Sequence, residues 1–488
     1  MNHVPFDPSK AVTFDLARGL VQQEGAASGL IVPAESLAAL ARAAGLAASI
    51  FIARPALADE PPALALGPAP YDEIRSTGRE IAPPRARPDA AKVPLVACSF
   101  REAVCVHAEA ATAPAAILWM LRWAEQALRT YRALGLPPPL DDAGLGGTRG
   151  FDLYLLASES GPSTTSDLIA RGHGFDSQSA FTILPPPAAP FTSCVEPNAV
   201  AQGIARAVLL RFDAGIEDGT SAMTSTYLAS LASECPLADL AAVDDFQRAP
   251  ERALTTANAD AASGSLLFPW FLDDVYGQST PARVVTTLIS VATQHTKPGS
   301  WEWSNEPDLF DTLRINMKAR ESSLDALLLD FAIARAFVGT RSDGMHLSGV
   351  ERFGDFGRVR FEWSVPFGSL PRRLAPTRPL DPTGATYLWV DCADAPVGAE
   401  LTFLADWELP SIFRWSLIKV DKSGAENGRV DIAGVYGDSH VERSVVGLGG
   451  LAGLLIVGVN GGSTDRAHPF DPDEAPFMPH SYTVTLAK

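Results

Sequence analysis

Three polar residues recur at intervals of four in an otherwise apolar stretch of the chain. Asn198, Gln202 and Arg206 share one face of a helix predicted over residues 198–213. A helix with this much apolar content is buried, so its polar stripe must face a polar cavity or hydrogen-bonding partners. Amide and guanidinium donors suit a peptide carbonyl or a carboxylate. The stripe therefore predicts either a binding cleft or a set of purely internal hydrogen bonds.

Acidic residues follow directly after this predicted helix. Glu217 and Asp218 precede a second helical stretch, in which Asp218 or Thr220 can cap the first turn and acidic groups favour the positive end of the helix. Asp213 and Asp218 are also candidate partners for Arg206. From the residues alone, Glu217 and Asp218 are interpreted either as part of a cleft or as structural caps.

The helix over residues 198–213 resembles a zinc-peptidase helix without its metal ligands. Peptidases of the H-E-x-x-H type hold zinc with two histidines one turn apart, and a glutamate general base stands beside the first. The corresponding positions here are Gln202, Gly203 and Arg206. In many zinc peptidases the next helix brings a carboxylate to the metal, and the sequence from Glu217 is similar to that context. The resemblance implies a peptidase scaffold that has no catalytic residues and binds no zinc.

The wider resemblance covers roughly residues 96–488. Over several segments the chain is similar to a group of secreted zinc metalloproteases of myxobacteria and their bacterial relatives. This resemblance implies a peptidase-like domain, export from the cytoplasm and an appended β-domain. The segments are residues 133–147, 151–154, 268–277, 303–307, 382–387 and 469–474.

Other residues offer alternative metal ligands. No two of the 8 histidines have a local metal-binding spacing, but folding could gather His107, His173 and His295 with Asp176, since zinc ligands need not be local. Two acidic clusters offer oxygen ligands for calcium, although neither matches an EF-hand loop and turn chemistry explains both. These clusters are Asp141 with Asp142, and Asp471 with Asp473 and Glu474.

Composition and missing motifs exclude several classes of function. The chain has 57 acidic and 39 basic residues, a formal charge of −18, which argues against nucleic acid as a partner. No apolar run is long enough to span a bilayer. No G-x-S-x-G elbow and no glycine-rich phosphate-binding fingerprint occurs, so neither a serine hydrolase nor a nucleotide site is predicted.

The five cysteines indicate the compartment. Cys98 and Cys105 form one predicted disulfide, Cys194 and Cys235 a second, and Cys392 remains a free thiol. Two disulfides favour an oxidising compartment, whereas buried reduced thiols in a cytosolic protein are the alternative. No signal peptide is visible in this numbering. We expect a periplasmic, outer-envelope or secreted protein.

The sequence predicts a multidomain α + β fold in three parts. Residues 1–94 form an N-terminal helical segment, with a helix at 34–51, and a proline-rich linker. Residues 95–345 form a mainly helical, peptidase-like domain that includes helices at 114–134 and 324–338. Residues 346–488 form an all-β sandwich of the jelly-roll or immunoglobulin type. Its predicted strands cover residues 358–365, 386–392, 400–405, 412–420, 429–435, 440–446, 453–459 and 481–486.

The function expected from the resemblance is noncatalytic. A degenerate metallopeptidase-like protein would bind a peptide or an envelope protein through the former active-site cleft, which Gln202, Gly203, Arg206, Glu217 and Asp218 would line. One alternative is an active zinc-dependent peptidase with non-standard ligands. The other is a purely structural envelope protein.

Overall fold

The structure is a computed structural model that describes most of the chain beyond residue 84. The helix predicted over residues 34–51 lies outside the described residues, as do His173, Asp176, His295 and the acidic cluster at 471–474. The described residues are 78–80, 85–170, 177–233, 235–256, 264–277, 280–284, 302–304, 308–432, 438–466, 469–470 and 477–488.

The first half of the fold contains a five-stranded mixed sheet. A short strand, β1 (Gly78–Glu80), comes before it in the chain. The strands of the sheet are β2 (Leu95–Cys98), β3 (Val104–Ala108), β4 (Phe151–Leu155), β5 (Ser163–Ala170) and β6 (Gln178–Leu184). They are hydrogen-bonded in the order β2-β3-β4-β6-β5. The central strands β3, β4 and β6 are parallel, whereas the edge strands β2 and β5 are antiparallel to their neighbours.

The five-stranded sheet is a feature that local sequence does not predict. Strands β3 and β4 are buried at every position, so they lack the alternation of apolar and polar residues that marks a half-exposed strand. The expectation of a mainly helical domain over residues 95–345 is therefore wrong for the stretch that holds β2 to β6. The fold as a whole is mixed α + β, as predicted.

Helices cover the sheet and continue the chain towards the second half. The helices predicted over residues 114–134, 198–213 and 324–338 are confirmed, with ends that differ by a few residues. The first two pack together on one face of the sheet. The helices are α1 (Pro114–Ala133), α2 (Val195–Phe212), α3 (Asp218–Ser233), α4 (Pro236–Arg248), α5 (Leu267–Val275), α6 (Leu309–Lys318) and α7 (Leu324–Ala336).

The second half consists of two β-sheets around a common core that includes Phe403, Trp415 and Val484. A further short strand, β7 (Glu302–Ser304), lies in the chain between α5 and α6 and pairs with β1. The remaining strands are β8 (Trp363–Pro366), β9 (Arg372–Leu374), β10 (Ala385–Asp391), β11 (Glu400–Trp407), β12 (Ser411–Val420), β13 (Glu426–Ile432), β14 (His440–Val446), β15 (Gly453–Ser463) and β16 (Tyr482–Ala487). The sheet orders are β13-β12-β15-β10-β8 and β14-β11-β16-β9.

Most of the predicted strands of this half are confirmed. The exception is the strand predicted over residues 358–365, because β8 begins only at Trp363. A 3-10 helix, Val350–Gly357, occupies the chain just before it. Val359 and Arg360 bond to the helical half instead of to a strand: the Arg360 N–H donates to the Gln247 carbonyl of α4 at 2.9 Å, and the Val359 carbonyl accepts from Arg341 at 2.8 Å.

The helical half packs against one face of the sheet β13-β12-β15-β10-β8, whose Tyr387, Ile418 and Val457 belong to the same apolar core as the helices. Helix α7 packs on β12 and β15, and its Ala332 carbonyl accepts a 2.9 Å hydrogen bond from the Tyr387 hydroxyl of β10. His346 bridges the halves, with Nδ1 3.0 Å from the Asp343 carboxylate and Nε2 2.9 Å from that of Glu426 in β13. The β-sandwich is thus packed tightly against the helices at the predicted boundary between residues 345 and 346.

The two predicted disulfides are present. Cys98 is bonded to Cys105 across β2 and β3, and Cys194 at the start of α2 is bonded to Cys235 at the start of α4. Cys392 is a buried free thiol. Disulfides of this kind fit an oxidising environment. Within the described residues, no helix has both the length and the apolar character that crossing a membrane requires.

Candidate functional site

Helix α2 carries Gln202, Gly203 and Arg206. It begins after Cys194 and ends at Phe212, and its apolar face, including Val200 and Ile204, is fully buried against α1 and the sheet. The Tyr131 hydroxyl of α1 donates a 2.8 Å hydrogen bond to an α2 carbonyl. The packing of α2 on α1 and on the sheet leaves its polar stripe to face α3.

The polar stripe of α2 meets a row of hydroxyl groups on α3. Each of its three members donates one hydrogen bond to a serine or threonine, so the internal partners that the sequence left open are supplied by neutral hydroxyls. The pairs are Asn198 Nδ2 to Ser233 Oγ at 2.9 Å, Gln202 Nε2 to Thr226 Oγ1 at 2.9 Å, and Arg206 Nε to Ser225 Oγ at 3.4 Å.

Arg206 is a half-buried cation with little compensation. Burial lowers the pKa of Arg206, and the charge of Asp218 opposes that effect without forming an ion pair. In the described part of the chain, the only hydrogen bond of the guanidinium is the long one from Nε to Ser225, and neither Nη1 nor Nη2 has a partner. The two terminal nitrogens are therefore available to a ligand.

Gly203 lets α2 approach the sheet closely. A Cβ at this position would lie 2.7 Å from Thr182 Cγ2 and 2.9 Å from Thr182 Oγ1, well inside contact distance. Thr182 of β6 is held by a 2.8 Å hydrogen bond to Thr164 of β5, and Thr164 Oγ1 donates to the Gly203 carbonyl at 3.3 Å. No side chain fits at residue 203 unless β6 or α2 moves.

The edge strand β5 borders the same stripe. It is the outermost strand of its sheet, and no strand among the described residues pairs with its free edge. We call the region between Thr164 of β5, Gln202 and Arg206 of α2, and Ser225 of α3 the α2 groove. Gln202, Arg206 and Thr164 are each partly exposed. The groove thus combines an unpaired strand edge with an amide and a guanidinium.

Glu217 and Asp218 differ in their placement. Asp218 begins α3 and is exposed, consistent with a residue at the rim of the groove. Glu217 is only 4% exposed, and its carboxylate accepts a hydrogen bond from the Thr220 hydroxyl three residues later. This is the geometry of a residue that stabilises a helix start. Glu217 is therefore not on the open surface of the groove, contrary to the predicted cleft lining.

The proposed alternative metal ligands serve structural roles where they are described. His107 Nε2 lies 2.9 Å from Asp152 Oδ1, and the ring stacks on Tyr154 at 4.7 Å. Asp141 binds Arg149 at 2.8 Å, and Asp142 accepts a hydrogen bond from its own loop at Gly144. Within the described stretches, no three His, Cys, Asp or Glu side chains are arranged to hold a metal ion.

A buried charge cluster on the outer face of the sheet was not predicted. Arg87, from the proline-rich segment called a linker, reaches three aspartates and stands over the Phe181 ring. Burial alone would lower the pKa of Arg87, but the carboxylates outweigh it and raise that pKa. The partners are Asp142 at 2.9 Å, Asp167 at 2.8 Å and Asp152. Residues 85–94 are therefore fastened to the sheet.

A cavity of about 370 Å³ lies elsewhere, between α6, α7 and the ends of β12 and β15. Two of its three aspartates are paired with arginines, Asp311 with Arg314 at 3.0 Å and Asp325 with Arg414. The α2 groove is the stronger candidate site, because the charge of Arg206 has no such partner.

Comparisons with known proteins assign no family to the chain. No protein-family model and no curated protein matches it. Among solved structures, it is similar to the pre-peptidase C-terminal domain of collagenase from Bacillus anthracis, at 8% identity over 26% of this chain and 96% of that chain, with a TM-score of 0.18. It is also similar to the Yersinia pseudotuberculosis-derived mitogen, at 15% identity over 24% of this chain and 86% of that chain, with a TM-score of 0.16.

Proposed function

We propose that this protein is a catalytically degenerate, metallopeptidase-like protein of the cell envelope or exterior, which binds a peptide or protein segment through the α2 groove. The observation that carries the proposal is the hydrogen bonding and packing of Gln202, Gly203 and Arg206, the residues that take the places of the zinc-binding motif in the resemblance. Gln202 and Arg206 point donors at α3 hydroxyls, and Gly203 touches the sheet. Neither an amide nor a guanidinium is a zinc ligand of the usual set.

Hydrolysis has a steric obstacle as well as a chemical one. A general base beside the first ligand position would need a side chain at residue 203, where even a Cβ is 2.7 Å from Thr182. Three substitutions would therefore not restore an H-E-x-x-H site unless β6 also moved. The packing supports a scaffold that has adapted to a role without catalysis.

Strand addition is the binding mode that the groove supports. An extended segment can add to the free edge of β5, where main-chain hydrogen bonds give affinity and side-chain contacts give specificity. Thr164 and Ser166 of β5 are partly exposed, and the edge carries no proline or lysine that would block pairing. Gln202 and Arg206 would meet side chains of the added strand from below.

The test is selection from a displayed library of random decapeptides, followed by hydrogen exchange with the synthesised binders. We expect enriched peptides to protect backbone amides of β5, Ser163–Ala170. The control is β14, His440–Val446, an edge strand of the β-sandwich, whose exchange should not change. Absence of enriched peptides, or protection confined to β14, would contradict the proposal and favour a purely structural role for the α2–α3 contacts.

A further inference from the structure

We infer that the segment bound in the α2 groove presents a carboxylate to Arg206. The inference rests on the proposed function and names the recognition element of its ligand. It follows from a charge that the fold leaves without a counterion. The carboxylate can belong to an aspartate or glutamate side chain, or to the C-terminus of the bound segment.

Arg206 has fewer polar partners than two other arginines withdrawn from solvent. Arg87 contacts three aspartates. Among the described residues, the fully buried Arg335 has no carboxylate partner but donates to Gln247 Oε1 and to the Phe246 carbonyl. By contrast, Arg206 makes one 3.4 Å hydrogen bond through Nε to a neutral serine. A half-buried charge that has lost water without gaining a counterion destabilises the folded state. Such a residue is explained if a ligand supplies the missing anion.

Geometry favours a carboxylate as that anion. The guanidinium fork offers two parallel N–H donors that match the two oxygens of a carboxylate, and Nη1 and Nη2 have no partner in the described structure. Asp218 at the rim and the overall charge of −18 disfavour a multiply charged anion such as a phosphorylated chain. A single carboxylate neutralises the arginine without adding excess negative charge.

The position of Arg206 also suits an added strand. Thr164 Oγ1 contacts the Gly203 carbonyl, so the part of α2 that carries Gln202 and Arg206 lies directly beneath the edge of β5. Side chains alternate between the two faces of a strand, so every second residue of an added segment would point towards α2. One acidic residue in such a position, or a terminal carboxylate, can reach the guanidinium while the backbone pairs with β5.

The experiment uses fluorescein-labelled decapeptides of alternating threonine and valine, each with one scanned position, and the full chain. One series is amidated and carries glutamate at that position, a second is amidated and carries glutamine, and a third carries glutamine with a free C-terminus. Kd is measured by fluorescence anisotropy. We expect the glutamate or the free-acid series to bind about tenfold or more tightly than the amidated glutamine series.

Variants of the protein isolate the role of Arg206. Arg206→Met should abolish the preference for the carboxylate, and Arg206→Lys should keep only part of it, because lysine lacks the fork. Arg211→Met is the matched control on the same helix, since Arg211 donates to the Pro138 carbonyl at 2.7 Å outside the groove. Thermal unfolding of Arg206→Met should occur at the wild-type temperature or above.

The outcomes separate the inference from the proposed function. A preference for glutamate over free acid, or the reverse, identifies the source of the carboxylate and supports the inference. Equal binding of all three series, with no effect of Arg206→Met, overturns the inference and leaves peptide binding in place. Failure of every peptide to bind the wild-type protein overturns both.

Discussion

Arg87 is the counterion of three buried aspartates on the first sheet, and its removal should change the free energy of unfolding by an amount that can be estimated. The substitution Arg87→Met keeps the apolar stem and deletes the guanidinium. The Arg87 side chain is 13% exposed, and its three carboxylate partners are buried. Their exposures are 2% for Asp142, 0% for Asp152 and 3% for Asp167.

The magnitude follows from what remains after the substitution. Asp152 keeps its contact with His107, and Asp167 keeps a 2.9 Å hydrogen bond from Ser179, so hydrogen bonds survive but the positive charge does not. Removing one partner of a buried ion pair costs roughly 3–5 kcal/mol. We therefore expect the free energy of unfolding at pH 7.5 to fall by about 3–5 kcal/mol.

The loss should depend on pH with a known sign. Burial already raises the pKa of Asp142, and deleting the charge of Arg87, which lowers that pKa, raises the pKa of Asp142 further. A carboxylate whose folded pKa exceeds its unfolded value destabilises the fold at high pH, and the penalty is relieved as the pH falls through the folded pKa. The deficit should shrink by about 1.4 kcal/mol per pH unit for each proton taken up.

The assay is guanidinium chloride unfolding, followed by tryptophan fluorescence at pH 7.5 and pH 5.5. The matched control is Arg85→Met on the same segment, because Arg85 is 45% exposed and its pair with Glu159 should contribute under about 1 kcal/mol. If Arg87→Met lost no more stability than this control at both pH values, the cluster would not be a stabilising counterion site.

Two further predictions concern the groove and the joint between the two halves. Gly203→Ala should lower the free energy of unfolding by about 1–3 kcal/mol, because the added methyl group overlaps Thr182 and this outweighs the better helix propensity of alanine. The control Gly161→Ala should have little effect, because no atom beyond the adjacent residues lies within 4 Å of the added methyl group. An equal loss of stability in both variants, measured by denaturant titration, would contradict the packing argument. Burial alone would lower the pKa of His346, but its hydrogen bonds to the carboxylates of Asp343 and Glu426 outweigh burial and raise the pKa. The stability that the protonated imidazole contributes is therefore full below about pH 6.5 and is lost as the pH rises through the folded pKa. His346→Gln should therefore reduce the melting temperature at pH 5.5 more than at pH 8.5, and a difference that does not vary with pH would refute this.

Parts of the fold could be predicted because local sequence determines them. Helix α2 follows from apolar periodicity, and its start after Cys194 agrees with the pattern within three residues. The β-sandwich strands follow from short runs between turn residues. The disulfides follow from the spacing of the cysteines, which pairs Cys98 with Cys105 and Cys194 with Cys235.

The five-stranded sheet and its charge cluster depend on contacts between residues far apart in sequence. Val104–Ala108 and Phe151–Leu155 are buried on both faces, so their sequences show no period of two. Arg87 lies 65 positions from Asp152 and 80 from Asp167, and no local signal connects them. Arginines among prolines are typical of an exposed linker, and only the tertiary structure reveals the role of Arg87.

The site was predicted in its position more than in its detail. The face shared by Gln202 and Arg206 follows from helical spacing, but their hydroxyl partners on α3 do not, because a second helix must fold against the first. The reason for Gly203 appears only with Thr182 in place. Glu217 was expected in the cleft, and its burial beside Thr220 shows that a helix-start role prevails.

We propose that Gln202, Gly203 and Arg206 form no metal-dependent catalytic site. The most direct measurement is elemental mass spectrometry of the protein purified without chelator, exposed to equimolar zinc and then dialysed. The account predicts zinc at the background level, because Gln202, Gly203 and Arg206 supply no zinc ligand of the usual set. Retention of about one zinc per chain would contradict it, and a loss of that zinc on substituting His107 would identify a rebuilt site.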